Sequence, residues 1–130
     1  RGRAALPQNL TALTAACMAI QKSKFHQVSG FNEVNLPIAF NDIDLCIRLH
    51  QAGYRNLWTP QVVLYHHESA SRGSDATPGN IDRLIREDAY LQETYGKFLQ
   101  SDPASNPNSS LQDDNCDLAF PPRLEKPWNE

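Results

Sequence analysis

The sequence contains no long apolar run and no cluster of basic residues. Its longest apolar stretch, Ala12 to Ile20, is too short to cross a bilayer as a helix. Acidic residues outnumber lysine and arginine by 15 to 12, which gives a formal net charge of −3. This balance, without a run of basic residues, does not indicate binding to nucleic acid or to an anionic membrane. We therefore expect no transmembrane segment and no nucleic-acid partner.

Cysteine is also scarce, and its spacing excludes two common uses. The three cysteines, Cys17, Cys46 and Cys116, are odd in number and include no C-x-x-C pair. This pattern argues against a zinc ribbon and against a disulfide framework. Cys17 and Cys46 lie in apolar segments, where a free thiol packs as a small hydrophobic group. We therefore expect a reducing compartment, the cytoplasm.

A glycine-rich phosphate loop is absent as well, and so is an opening β-α-β unit. The elements that the sequence predicts follow the order strand, helix, helix, strand, strand, helix. That order is too sparse for a closed α/β domain. Because the sequence also begins at Arg1, we expect a piece of a longer protein.

Apolar spacing and turn residues predict the elements of the first half. Residues 9–20, rich in alanine and threonine, are predicted to form a buried strand. Ser23 is the predicted N-cap of a short helix that Gly30 ends. A longer helix is predicted from Asn41, with Gly53 just past its end. Its predicted buried residues are Ile43, Cys46, Ile47 and Leu49.

Two short strands and a long helix are predicted in the second half. The strands cover residues 54–60 and 62–67, and a loop of small and polar residues follows them. Thr77 and Pro78 then predict the start of the helix, as a cap and a first-turn proline. Its predicted apolar stripe consists of Ile81, Leu84, Ile85, Leu91, Tyr95, Phe98 and Leu99.

Three blocks of the sequence, in their order and spacing, resemble the C-terminal half of the catalytic domain of family 2 glycosyltransferases. The blocks are TAACMAIQKSKFHQVSGFNE, FNDIDLCIRLHQAGYRNLWTP and VVLYHHESASRG, and the resemblance runs from about Asn9 to Gly73. It implies an α/β fold: the acceptor-side half of a GT-A, nucleotide-diphospho-sugar transferase-like domain, with a few strands and two to three helices. It also implies an inverting enzyme that uses a nucleotide-sugar.

The sequence after residue 100 resembles the irregular segment that follows such domains in multi-domain bacterial glycosyltransferases. Its composition shifts to Asn, Ser, Pro and Asp, and Ala104 and Ser105 stand where that segment usually has two aromatic residues. We therefore expect two parts: residues 1–100 from the transferase domain, and an irregular segment over residues 101–130.

The resemblance implies that the parent protein transfers a sugar from a nucleotide-sugar donor to a glycan acceptor in bacterial surface polysaccharide synthesis. The family's nucleotide-binding strands and metal-binding Asp-x-Asp motif belong to the other half of the domain. The full-length enzyme is expected to use a divalent metal, Mn or Mg. This chain alone is expected to be inactive, to bind no metal, and to self-associate through exposed strand edges. Two alternatives stay open: a non-catalytic glycan-binding or interaction module, and a piece that is stable only through self-association.

Asp42 is the candidate catalytic residue. Inverting transfer needs a general base that deprotonates the acceptor hydroxyl as it attacks the anomeric carbon. Asp42 matches the family's base, the second acid of a Glu-Asp pair at the start of the helix, and Asn41 replaces the first acid. Without the resemblance, a cap at the positive end of the helix dipole is the better explanation of Asp42.

Asp44 completes an apparent Asp-x-Asp motif over residues 42–44, but the family's metal motif ends a strand, whereas this one opens a helix. Asp44 lies four residues before Arg48, so an ion pair between them is geometrically available. We interpret the pair as structural and keep both residues as candidates for substrate binding. The other candidates for substrate binding are Ser69, Ser71 and Arg72.

Those three residues lie in a loop that ends at Gly73. In the family this loop closes over the donor, where Arg72 would contact a diphosphate oxygen. A solvated loop arginine explains Arg72 equally well.

His66 is the candidate metal ligand. Because adjacent strand residues face opposite sides, only one of His66 and His67 points into a given site. The resemblance places a metal-contacting histidine here, and imidazole is a competent ligand for manganese. A hydrogen-bonded structural histidine is an equally good explanation. Trp58 and Tyr65 are expected in the core rather than stacked on a sugar.

Overall fold

The structure is a computed structural model, and it describes residues 5–66, 77–110 and 117–123. The chain divides into two compact units, Arg1–Thr94 and Tyr95–Glu130. The described elements are β1 (Gln8–Leu10), a 3-10 helix (Ala15–Cys17), α1 (Lys22–Gln27), α2 (Asn41–Gln51), β2 (Asn56–Trp58) and α3 (Pro78–Gln100). They form a small mixed α/β chain, which agrees with the predicted class. No described helix is long and apolar enough to span a membrane.

The two strands form an antiparallel pair in which Leu10 lies opposite Asn56. Asn56 is buried, and its side-chain amide donates to the carbonyl of Thr11 at 2.9 Å and to that of Cys46 at 3.0 Å. A buried amide needs such partners because an unpaired polar group is costly away from water. Asn56 thus joins both strands to the middle of α2.

The buried strand predicted over residues 9–20 is wrong beyond Leu10, and β1 itself contains no buried residue. The Thr14 hydroxyl accepts a hydrogen bond from the Ala16 amide at 3.3 Å and caps the 3-10 helix. Such a local bond favours a turn over an extended chain. The helix carries no buried residue, and Cys17 is exposed rather than packed as the sequence suggested.

The short helix α1 confirms the prediction of a helix ended by Gly30, but its predicted cap is wrong. The N-cap position is Gln21, without a side-chain hydrogen bond, and Ser23 lies inside the helix. At the other end, Ser29 and Gly30 both have positive φ angles, 64° and 67°. The Gly30 amide donates to the Phe25 carbonyl at 2.9 Å and closes the helix end.

The helix α2 carries most of the core of the first unit. It begins at Asn41 and is followed by Gly53 at φ 87°, as predicted. Ile43 is only half-buried, contrary to the prediction, whereas the charged Asp44 is buried. The buried apolar residues of the helix are Leu45, Cys46, Ile47 and Leu49, and Leu36 from the preceding loop is buried with them.

The second predicted strand, over residues 62–67, is wrong for residues 62–66, which form no strand. A strand needs a neighbour to pair with its backbone, and none of the described residues pairs with this segment. Its side chains are exposed, and Tyr65 is 93% exposed, so its predicted core role is also wrong. Trp58 is half-buried at the end of β2.

The long helix α3 starts at Pro78, as predicted, and the Thr77 carbonyl accepts bonds from the amides of Asn80 and Ile81. The predicted apolar stripe is only partly buried. Leu91 and Tyr95 are buried, but the first three members of the stripe are exposed: Ile81, Leu84 and Ile85. Apolar spacing therefore locates the helix but overestimates how much of it is covered.

In the second unit, irregular backbone is organised by polar side chains. The Asp102 carboxylate accepts from the Ala104 amide at 2.8 Å and the Ser105 hydroxyl at 3.0 Å. The Arg123 guanidinium donates to three backbone carbonyls, at 2.8 to 2.9 Å, those of Gln100, Asn106 and Ser109. Because all three acceptors are backbone oxygens, this arginine orders the chain that follows α3.

Candidate functional site

Asp42 lies in the first turn of α2, and its side chain is half-buried. Its Oδ2 accepts a hydrogen bond from the Ala15 amide at 3.0 Å, and its Oδ1 accepts one from the Ile43 amide at 2.9 Å. The first bond joins the start of α2 to the 3-10 helix. The N-cap of α2 is Phe40 and not Asp42. The carboxylate is therefore held near the positive end of the helix dipole without serving as the N-cap.

The helix starts from a left-handed residue. Phe40 has φ 60° and ψ 4°, a conformation that costs a non-glycine residue roughly 1–2 kcal/mol. Its carbonyl accepts the first helical bond, from the Asp44 amide at 3.0 Å. The preceding amide, that of Ala39, donates to the carboxylate of Glu87 on α3. Hydrogen bonds to the Phe40 carbonyl and from the Ala39 amide thus hold this turn in place. A strained backbone conformation persists only when its surroundings hold it in this way.

Asp44 and Arg48 form the predicted ion pair. The Asp44 Oδ2 lies 2.5 Å from Nη2 and 2.9 Å from Nε of the arginine, and the Asp44 side chain is 1% exposed. Arg48 also donates to the carbonyls of Val28 and Gly30, the second at 2.6 Å. The pair therefore fastens α2 to the chain that follows α1. A role for either residue in substrate binding stays a prediction.

Cys46 lies one helical turn after Asp42, and both side chains bind the backbone of residues 13–15. Its Sγ accepts a hydrogen bond from the Leu13 amide at 3.4 Å. Burial raises the pKa of the Cys46 thiol, the hydrogen bond to Leu13 lowers it, and the charge of Asp42 raises it further, with a net upward shift. Leu13 and Ala15 are thus both bound along one face of α2, by Cys46 and Asp42.

The candidate metal ligand is the least supported of the described site residues. His66 is exposed and lies outside any strand. Among residues 5–66, 77–110 and 117–123, no three His, Cys, Asp or Glu side chains come together as a metal site would require. The described residues therefore offer no donor set for the expected divalent metal. The loop candidates lie outside the described residues: Ser69, Ser71 and Arg72.

Two cavities flank the described elements of the first unit. One, of about 360 Å³, is lined by residues from the segment before α1, from α1, from α2 and the loop after it, and from β2, including Lys24, Cys46 and Arg55. The other, of about 260 Å³, lies between the loop before α2 and α3, and Arg83 and Glu87 line it. Asp42, which is half-buried, lines neither of these two cavities.

Glu87 is the residue near this site that the sequence analysis missed. It is 2% exposed, although charged residues are almost never fully buried unless they are paired. The spacing of α3 could have indicated this burial. Glu87 lies three residues after Leu84 and four before Leu91, on the same face of the helix as the predicted apolar stripe.

The chain is similar in sequence to several curated proteins. It is 46% identical over 119 residues to the uncharacterized protein y4gI of Sinorhizobium fredii, covering 92% of this chain and 13% of that protein. It is 34% identical over 111 residues to the O-antigen biosynthesis protein RfbC of Myxococcus xanthus, and the match covers 85% of this chain and 8% of that protein. Over 63 residues it is 35% identical to the N-acetylglucosaminyl-diphospho-decaprenol L-rhamnosyltransferase of Mycobacterium tuberculosis. That match covers 48% of this chain and 20% of the relative.

The chain thus spans between 8% and 20% of the length of these relatives. The names of two of them, an O-antigen biosynthesis protein and a rhamnosyltransferase, are consistent with a glycosyltransferase family. No protein-family model matches the chain, and no solved structure matches it.

Proposed function

We propose that this chain is the acceptor-side, C-terminal half of the GT-A catalytic domain of an inverting family 2 glycosyltransferase. The parent enzyme transfers a sugar from a nucleotide-sugar to a glycan acceptor in bacterial surface polysaccharide synthesis. The observation that carries this proposal is the 34% identity, over 85% of the chain, to a protein named for O-antigen biosynthesis. The shorter match to a protein named as a rhamnosyltransferase supports the same reaction class.

In this proposal Asp42 is the general base. Its two oxygens each accept one backbone N–H, from Ala15 and Ile43, and a carboxylate has about four lone-pair sites. The two bonds orient the group and leave acceptor capacity for a substrate hydroxyl. As the hydroxyl oxygen bonds to the anomeric carbon, its proton passes to Asp42. The bond from that carbon to the nucleoside diphosphate breaks, and the diphosphate leaves with the electron pair.

The departing diphosphate needs positive charge nearby. Our candidates for contacting it are Arg72 with Ser69 and Ser71, and His66 is the candidate metal contact. When bound in the full-length enzyme, a divalent metal, Mn or Mg, stabilises the negative charge that develops on the leaving group. Its remaining ligands would come from outside the described residues.

Substituting the two acids of α2 in the full-length enzyme tests the assignment of the base. Asp42→Asn removes the proton acceptor, and because general-base catalysis contributes about 10²–10⁴-fold, we expect transfer to fall by at least a hundredfold. Asparagine still accepts one of the two backbone bonds, so the melting temperature changes little. Transfer rate and melting temperature are measured on the same preparations, well below the melting transition.

Asp44→Asn is the matched control. It removes the buried partner of Arg48 and is expected to lower the free energy of unfolding by about 1.5–3 kcal/mol, as for a hydrogen bond to a charged group. Its effect on transfer should be the smaller of the two. If Asp42→Asn leaves transfer intact and Asp44→Asn abolishes it, the roles of the acids are reversed. If neither substitution affects transfer, the proposal that a general base lies at the start of α2 is wrong.

The 130-residue chain alone is expected to transfer no sugar. The chain spans at most 20% of the relatives it matches, and the family's nucleotide-binding strands belong to the other half of the domain. The check is incubation of the purified chain with nucleotide-sugars, followed by assay for released nucleoside diphosphate. Turnover above that of the Asp42→Asn chain would contradict the division of the site between two halves.

A further inference from the structure

Glu87 is a buried carboxylate without a role in the reaction described above. It lies on α3 and is 2% exposed. Its Oε1 lies 3.2 Å from Arg83 Nε, one helical turn earlier, and its Oε2 accepts the amide of Ala39. The Arg83 pair is local to α3. The Ala39 bond instead connects α3 to a residue 48 positions earlier in the chain, so it links two separate parts of the first unit.

The amide that Glu87 binds stands at a sensitive place. Ala39 immediately precedes Phe40, the left-handed residue from which α2 begins, and Asp42 follows two residues later. Consecutive α-carbons are about 3.8 Å apart, so Ala39 lies at most about 11 Å from Asp42 along the chain. A left-handed phenylalanine relaxes when its neighbours stop holding it. Any such relaxation would turn the first helical turn, and with it the Asp42 carboxylate.

We propose that Glu87 is a positioning residue: it holds the Ala39–Phe40 turn and thereby sets the orientation of the Asp42 carboxylate. The reach of its side chain to the Ala39 amide matters for this role, and its charge opposite Arg83 does not. The part that concerns Asp42 rests on the proposed function; the part that concerns the turn does not.

Two substitutions in the full-length enzyme separate reach from charge. Glu87→Asp keeps the charge but shortens the side chain by one methylene, about 1.5 Å, and so loses the Ala39 amide. Glu87→Gln keeps an oxygen within reach of that amide and loses the charge that faces Arg83. Glu93, an exposed glutamate of the same helix, provides the matched controls Glu93→Asp and Glu93→Gln.

We expect Glu87→Asp to lower kcat by about ten- to a hundredfold, as a misplaced catalytic group does, with KM for the nucleotide-sugar unchanged. Glu87→Gln should keep kcat near that of the unsubstituted enzyme, at a lower melting temperature. Hydrogen–deuterium exchange of the peptide that contains Ala39 should be faster in Glu87→Asp and unchanged in Glu87→Gln. Neither Glu93 variant should change kcat or exchange.

The reverse pattern, with Glu87→Asp tolerated and Glu87→Gln impaired, assigns Glu87 to a simple ion pair and overturns the proposal. If Glu87→Asp does not fold, Glu87→Gln decides: slow exchange at Ala39 with kcat retained supports the proposal, and fast exchange or lost kcat overturns it. If Asp42→Asn leaves transfer intact, the assignment of Asp42 as the general base fails, whereas the exchange measurement still decides whether Glu87 holds the turn.

Discussion

Asp42 and Asp44 are one residue apart, yet their carboxylates have different surroundings. Helical residues advance by about 100° each, so the two side chains leave α2 in directions about 200° apart. Asp44 is directed to Arg48 and the chain after α1, where it is buried. Asp42 is directed to Ala15 and stays half-exposed. One side of this helix turn therefore carries a buried ion pair, while the other side carries a half-buried carboxylate.

The Cys46 thiol provides a test of burial beside Asp42. Its pKa is raised above the ordinary value of 9.0, mainly by desolvation. The unfolded thiol therefore loses its proton at a lower pH than the folded one, so the free energy of unfolding falls as pH rises above 9.0 and toward the folded pKa. Below that pH range the contribution of the Cys46 thiol to the free energy of unfolding is constant.

We therefore expect Cys46→Ser to flatten the fall in melting temperature between about pH 7 and about pH 10. Serine does not titrate there and retains an acceptor for the Leu13 amide. Melting is measured by circular dichroism at both pH values. Cys17→Ser, at an exposed thiol, is the matched control. Parallel curves for Cys46→Ser and the unsubstituted chain would show that this thiol does not titrate differently on folding.

At the scale of elements, helix ends are set by backbone conformations that only a few residues tolerate. The end of α1 is the most crowded of them. Gly30 has φ 67°, and a Cβ added there would lie 2.9 Å from the ring of Phe25. That ring also packs edge-on against Phe31, with centroids 5.4 Å apart. The Gly30 carbonyl, moreover, accepts from Arg48, so this turn connects α1 with α2.

Gly30→Ala is therefore expected to lower the free energy of unfolding by more than the roughly 1–2 kcal/mol that a left-handed alanine costs. The added methyl also displaces Phe25. Gly79→Ala is the control, because Gly79 lies in the first turn of α3 with nothing within 4 Å of an added Cβ. There alanine should be neutral or stabilising by about 0.5–1 kcal/mol. Urea denaturation measures both; equal effects would contradict the crowding at Gly30.

At the scale of the whole chain, a run of exposed apolar residues follows β2. Val62, Val63, Leu64 and Tyr65 are between 61% and 93% exposed. Contiguous apolar surface of this kind marks an interaction site or an aggregation liability. In the proposed function, this segment would meet the other half of the domain. A chain without that half should bury the segment against a second copy.

We therefore expect the isolated chain to self-associate, with a mass by light scattering that rises with concentration. The double variant Val63→Ser/Tyr65→Ser should shift the chain toward the monomer, because it removes the two most exposed side chains of the run. Leu118→Ser, at a leucine that lies outside the run and is 81% exposed, is the control. A monomer at every concentration, or equal association of both variants, would contradict a role for residues 62–65.

The sequence by itself determined those features that depend on near neighbours. The starts of α2 and α3, the glycines that follow α1 and α2, and the Asp44–Arg48 pair were all predicted from residues within about one helical turn. Turn residues and i,i+4 pairs act over that distance whatever the rest of the chain does. The choice of Asp42 as the candidate base, by contrast, came from the family resemblance and stays a prediction.

Only the tertiary structure decided the partners that lie far apart in sequence. Ala15 meets Asp42 across 27 residues, and Ala39 meets Glu87 across 48. No local pattern specifies either bond, because each depends on how separate elements pack. The same reason explains the failed strand at residues 62–66, whose apolar sequence suits a sheet. A strand forms only where a neighbouring backbone pairs with it, and within the described residues no backbone does.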